Sequence, residues 1–301
     1  MADIIKNVVI IGASGNIGAS IFKALVASNK FTVSVLTRPE STHIYAGDIK
    51  ILQSDYSEVS LVEAFQGQDA VVSALGAAGL ADEIKIIDAC VKARVKRFIP
   101  SEYGSNSKNA KATTLIPFFG LKAQINAHLE AQEANGLTWT GIAAGPMFDW
   151  GVHIGLVGFN IHTKEALIFD GGDRRFSTSN LSQLGNAVVA VLSKSTTTAN
   201  QYLYIDSFTV SQNEILAALE SETGEKWTVT NSTTEAAVTE GRALFAKGDF
   251  SGLLLLLKAN FLGEGYGSDF TKDAKLSNEI LGLPSQDLTS TVRALVKGEA
   301  I

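Results

Sequence analysis

Short apolar runs alternate with amphipathic stretches through the first half of the chain, and their two periods read apart. Strands are predicted at about 8–12, 31–36, 49–53, 70–74, 97–100 and 138–144. Helical spacing of apolar positions fills the intervals at about 19–27, 57–65, 81–93 and 120–135. Runs such as Val8-Val9-Ile10-Ile11 show no polar alternation, so both faces of those strands must be covered. Strands of that kind separated by helices make a parallel sheet with a helical layer on each side. Right-handed crossovers then give a doubly wound α/β fold, which takes its ligands at the carboxyl ends of the strands.

After Pro146 the rhythm changes. Loops rich in glycine and aromatic residues (151–176) lead to a helix at about 181–192 and a strand at about 201–205. A further helix, 211–223, opens with Ser211 as N-cap and Glu214 at the third helical position. The remainder reads as helical, with a leucine-rich stretch at 253–257 and a last helix near 290–297. No repeat or linker interrupts the chain. The expectation is a dinucleotide-binding domain over residues 1–146. A smaller, mostly helical substrate-binding lid, residues 147–301, packs on it and does not fold independently.

The first strand runs straight into Gly12-Ala13-Ser14-Gly15-Asn16-Ile17-Gly18 and then a helix. A dinucleotide's pyrophosphate binds at such a helix N-terminus, where unpaired backbone N–H groups and the helix dipole favour negative charge. A Cβ at Gly12 or Gly15 would obstruct the turn or the phosphates, and one at Gly18 would push the helix off the sheet. Ser14, Asn16 and Ile17 complete this phosphate-binding turn of a Rossmann-type fold. Arg38 stands just past the second strand, where an acidic residue would select the ribose 2′-hydroxyl of NAD. An arginine there accommodates a 2′-phosphate, so NADPH is the expected cofactor. Asp55, after the third strand, either bonds the adenine amino group or caps the helix that follows. Small residues at the end of the fourth strand, Ala74-Leu75-Gly76, let the backbone lie against the cofactor.

Bulk properties narrow the class. The 301 residues are 46% hydrophobic and 19% charged, which describes a compact protein with a large core. A net charge of −6 argues against DNA or RNA as partner, because phosphate neutralisation needs a basic face. The single cysteine, Cys90, lies on an apolar helical stretch and reads as structural. No cationic leader precedes an apolar run, and Leu253–Leu257 is too short to cross a bilayer. No membrane partner is therefore expected, the location expected is cytoplasmic, and the sequons at Asn180 and Asn231 read as chance matches. The four histidines show no metal-ligand spacing, and neither His-Glu-x-x-His nor G-x-S-x-G occurs.

Two further segments carry a family resemblance. Lys96-Arg97-Phe98-Ile99-Pro100-Ser101-Glu102-Tyr103-Gly104 resembles the K-R-F-x-P-S-E-[FY]-G signature of isoflavone reductase-like proteins, within the NmrA-like group of atypical short-chain dehydrogenases. Phe118-Phe119-Gly120-Leu121-Lys122-Ala123 resembles that family's lysine helix. The glycine spacing points to the same branch, with fainter similarity at 201–227 and Leu281-Gly282-Leu283-Pro284. The resemblance implies that Lys122 is the catalytic lysine, bonding the nicotinamide ribose and exchanging a proton with substrate. Burial there would lower its pKa. Phe118 stands where ordinary short-chain dehydrogenases carry tyrosine. Expectation therefore shifts from simple ketones toward enones, quinone-methide-like centres or benzylic ethers. Tyr103 can supply a phenol or pack its loop.

Ser101 and Tyr103 should rim the loop after the fifth strand, with Gly145, Pro146, Met147 and Phe148 flanking the nicotinamide face. His153 either reaches the substrate from its loop or takes a solvent or packing role. Phe148, Trp150, Phe159 and Phe176 either line an apolar pocket or form core. Ala143-Ala144-Gly145 replaces the N-C-F of the plant members, which puts their substrates in doubt. The implied partner is a small aromatic or conjugated molecule, and a homodimer remains open. The alternative reading is an NmrA-like redox sensor that binds NADP(H) and acts through a protein partner. Such regulators tend to lack the lysine, so Lys122 favours the enzyme.

Overall fold

The computed structural model describes residues 4–301. Its centre is a parallel sheet. The first half supplies β1 (Asn7–Ile11), β2 (Thr32–Thr37), β3 (Lys50–Gln53), β4 (Ala70–Ser73), β5 (Arg97–Ile99) and β6 (Thr138–Ala143). Between them run α1 (Asn16–Ala27), α2 (Glu58–Phe65), α3 (Glu83–Lys92), α4 (Ala110–Leu115) and α5 (Pro117–Gln132). The absence of polar alternation in β1 now has its reason. Val8 and Ile10 enter one apolar layer beside α1, while Val9 and Ile11 enter the other beside α2, α3 and α5. Helix α5 starts earlier than its periodicity implies, because Pro117 at its first position is pre-set for helical φ and has no N–H to lose.

The second half contributes α6 (Phe148–Gly151), β7 (Phe159–Asn160), β8 (Glu165–Phe169), β9 (Arg175–Thr178), α7 (Leu181–Ser193) and β10 (Gln201–Tyr204). There follow β11 (Phe208–Ser211), α8 (Gln212–Thr223), β12 (Thr228–Ser232), α9 (Thr234–Phe245), α10 (Ser251–Leu262), α11 (Phe270–Asp273), α12 (Asn278–Leu281) and α13 (Leu288–Lys297). Helix α8 carries the predicted capping box. The segments read as loop and helix also contain two small sheets, ordered β12-β8-β7 and β11-β9. Strands of two to five residues are too short to display a period, and positive-φ glycines at 158, 171 and 172 break up their neighbourhood.

Residue 146 marks a change of rhythm and not a separation. Strand β10 pairs parallel with β6, giving the seven-stranded order β10-β6-β5-β4-β1-β2-β3. Helix α7 lies on α1, with the Ser20 hydroxyl donating to the Leu181 carbonyl at 2.7 Å. A third apolar cluster joins Leu115, Ile116 and Phe119 of the first half to Phe148, Phe159, Phe176 and Leu256 of the second. Cys90 is buried, as expected. No helix among the described residues is long and apolar enough to cross a membrane.

Candidate active site

Three glycines in the first turn do different work. Gly12 has φ +78°, and a Cβ there would overlap the Ala74 carbonyl at the end of β4. A Cβ on Gly18 would overlap the Gly12 carbonyl. Both are required by the fold itself. Gly15 is not, since its Cβ would rest at an ordinary 3.5 Å from the Gly12 carbonyl. Gly15 is the N-cap of α1, no side chain caps that helix, and no acidic residue stands in its first turn. Ser14, Gly15 and Asn16 are exposed, with Ile17 half-buried beside them. The amide end of α1 is therefore open to an anion. Gly76 has nothing within 4 Å of where its Cβ would be, leaving the opposite wall equally bare.

From this turn a cavity of about 810 Å³ extends past Leu36, Thr37 and Arg38 to Asp55, Tyr56 and Leu75–Gly76. Its size and composition fit the adenosine and phosphates of a dinucleotide. Arg38 is open to solvent and meets Glu40 at 3.3 Å, a surface pair that a ligand phosphate can displace. Asp55 lines the cavity and accepts the Ser57 amide at 2.9 Å; the Ser57 hydroxyl first, and then this amide, hold its carboxyl below the ordinary range. The cap of α2 is Ser57 and not Asp55, so that alternative falls away. Tyr56, Tyr45 and Lys85 also line the cavity. Tyr56 has φ +64°, and burial raises its phenol while nearby Arg38 opposes the rise. Tyr45 meets the Ser14 hydroxyl and sets its ring edge-on to Phe22 at 5.3 Å.

The other end of the site is built on the turn after β5. Lys122, in the second turn of α5, donates from Nζ to the Glu102 backbone carbonyl at 2.5 Å. Burial lowers its pKa, and the carboxylates of Glu102 and Glu83 oppose the drop. The Glu102 side chain is itself fixed. The Tyr202 hydroxyl donates to Oε1 at 2.7 Å and the Asn126 amide to Oε2 at 3.3 Å. Glu83, at the start of α3, accepts the Ser101 amide at 2.9 Å, and burial pushes its carboxyl up to about 7. The Ser101 hydroxyl donates to the Leu75 carbonyl at 2.6 Å, tying the β4 and β5 loops together.

The predicted residues separate here. Gly12, Ser14, Arg38, Asp55, Leu75 and Gly76 line one opening; Ser101 and Lys122 do not line it, Ser101 being tied to Leu75 through its hydroxyl and Lys122 held on the neighbouring Glu102 carbonyl. Tyr103 is buried at φ +29°, and its hydroxyl has no hydrogen-bond partner among the described residues. Phe118 is half-buried and edge-on to Phe119 at 4.7 Å. Gly145, at φ +69°, lies against the Ser177 carbonyl, which explains that glycine by packing alone. The Pro146 carbonyl accepts the Thr178 hydroxyl at 2.6 Å, and Met147 bridges to Ser179. Phe148 is fully buried against Phe208, and Phe159 and Phe176 are core, so the core alternative holds for all three. His153 is exposed, its ring 5.4 Å from that of His162, and forms no wall of the buried cluster. The sequence reading missed Glu83, Tyr202 and Asn126. Glu83 looks like an ordinary first-turn acid, and the other two acquire meaning only through contacts with Glu102.

A parallel sheet with an uncapped glycine turn, an arginine beyond β2 and a partly desolvated lysine defines a dinucleotide-binding α/β protein. Residues 5–149 match the NmrA-like family. The chain is 34% identical to Oxidoreductase aprR of Aspergillus flavus, over 97% of this chain and 99% of that one. It is 27% identical to a phenylcoumaran benzylic ether reductase of Ginkgo biloba, covering 73% and 76%. The fold is similar to leucoanthocyanidin reductase from Vitis vinifera, with a TM-score of 0.80 at 16% identity, over 97% and 99% of the two chains. The chain belongs to the NmrA-like family and is similar along its length to proteins named as oxidoreductases and reductases.

Proposed function

We propose that this protein reduces a small aromatic or conjugated metabolite at the expense of NADPH, with Lys122 as the proton-carrying residue. The observation that carries the reading is Lys122 Nζ, desolvated and anchored on the Glu102 carbonyl in the turn after β5, a turn tied through the Ser101 hydroxyl to Leu75 of the cavity wall. Gly15, the first-turn amides of α1 and Gly76 would receive the pyrophosphate, and Arg38 the 2′-phosphate. When bound, NADPH supplies a hydride. An ammonium has three N–H donors. One on Lys122 is held by Glu102, leaving two for a ribose hydroxyl and a substrate oxygen. Its depressed pKa brings the group closer to the operating pH, where general acids work best.

Phe118 has no proton to give, so the tyrosine route to simple alcohols is absent at that position. The named chemistry of the Ginkgo relative fits a substrate whose electrophilic carbon is activated by conjugation, such as an enone, a quinone methide or a benzylic ether. The test is NADPH oxidation by the wild type against such compounds and simple ketones. Turnover confined to the conjugated set supports the reading. Tight NADPH binding with no turnover from any compound would replace it with a sensor that signals through a protein partner.

A further inference from the structure

One buried acid of the site has no part in the chemistry so far. Glu83 is 1% exposed, and its Oε1 accepts the amide of Ser101, the residue before Glu102. The Glu102 carbonyl in turn accepts Lys122 Nζ, so a continuous line of contacts runs from α3 through the β5 turn to α5. Glu83 and Lys122 also feel each other's charge directly.

We infer that Glu83 is a positioning residue: it holds the Ser101–Glu102 turn against Lys122, and its protonation state sets how readily Lys122 releases a proton. This rests on the reductase reading above. The step concerned is simple in its balance. An N–H bond of the Lys122 ammonium breaks, its electron pair stays on Nζ, and an O–H bond forms on the substrate. With Glu83 ionised, the ammonium is stabilised and the proton is held. With Glu83 neutral, only the Glu102 carboxylate opposes its release. Because burial raises Glu83 to about 7, the change falls within the working pH range.

The groups facing Glu83 are few. The Ser73 hydroxyl meets it from the end of β4, Lys122 faces it from α5, and Glu102 and Tyr103 face it from the β5 turn. The remaining charges nearby on these elements are engaged elsewhere: Glu58 of α2 with Lys92, Asp82 with Lys85, and Asp88 with His128. Reciprocity then fixes two signs. Removing the lysine charge must raise the proton affinity of Glu83, and removing the Glu83 charge must lower that of Lys122.

The experiment is a ¹³C NMR titration of the cofactor-free protein, labelled at glutamate carboxyl and lysine ε carbons. Lys122→Met should raise the proton affinity of Glu83 about tenfold. Glu83→Gln should lower that of Lys122 by a similar factor, and it keeps an oxygen for the Ser101 amide, so the second variant stands if the first folds poorly. In turnover, kcat of the wild type should fall as pH rises through 7, by at most about tenfold, and Glu83→Gln should lack that limb. Midpoints unmoved by either substitution, or an unchanged limb in Glu83→Gln, would overturn the inference. Coupled midpoints without turnover from any compound would support the coupling and defeat the reductase reading.

Discussion

Glu83 also makes the account testable without any substrate. Its carboxyl titrates at about 7 in the folded protein, against an ordinary 4.5, and the first cause is burial. Between those two values the folded protein holds a proton that the unfolded chain has released. Stability therefore falls as pH rises through this window, and the loss is complete above the folded midpoint. A displacement of about 2.5 pH units at about 1.4 kcal/mol each gives about 3 kcal/mol. Glu83→Gln removes the titration and keeps an acceptor 2.9 Å from the Ser101 nitrogen. The folded value already includes the attraction of Lys122 for the ionised carboxylate, so the expected gain of the neutral variant above that midpoint stays at about 3 kcal/mol. Urea unfolding followed by circular dichroism should give nearly equal stabilities at pH 4.5 and a more stable variant at pH 8. A stability difference that does not change between the two pH values would refute the reasoning.

Other substitutions separate fold from ligand. Gly15→Ala should cost under about 1 kcal/mol in unfolding experiments while weakening NADPH binding at least about tenfold, measured by fluorescence. Gly18→Ala, which would strike the Gly12 carbonyl, should cost on the order of 3 kcal/mol and lower the melting temperature. Arg38→Ala should raise the NADPH Kd about 10- to 100-fold and leave that of NADH nearly unchanged in a competition titration. Arg97 is buried and donates to Thr138, Thr140 and Thr198 and to the Ser195 carbonyl. Arg97→Met removes these four donated hydrogen bonds and should lose about 2–4 kcal/mol by urea titration, with NADPH affinity retained.

What the sequence made legible was local. The glycine turn is written in seven consecutive residues, and its role follows from backbone geometry that no distant contact has to supply. The unbroken apolar runs of β1 and β4 announce a sheet covered on both faces, and the layers on either side of Val8 and Val9 bear this out. Lys122 was reachable through a motif, and Arg38 through its offset from β2. Illegible features depend on residues far apart in the chain. Glu83 differs from a solvated helix-start acid only because the turn after β5 and helix α5 close over it. Strand β10 is visible as a strand, but its place beside β6 is not. Strands β7 to β9 are too short for a period. Phe148 and His153 were legible only as alternatives. Proximity in sequence to the nicotinamide-side loop suggested substrate contact, whereas one packs into the core and the other faces solvent.

The central claim is that Lys122 carries the proton of an NADPH-dependent reduction. The most direct measurement compares single-turnover NADPH oxidation by wild type and Lys122→Met on a conjugated substrate, with NADPH affinity measured in both. The account predicts a fall of about 10²- to 10⁴-fold in the rate, with affinity reduced only several-fold. A variant that turns over at the wild-type rate would contradict it.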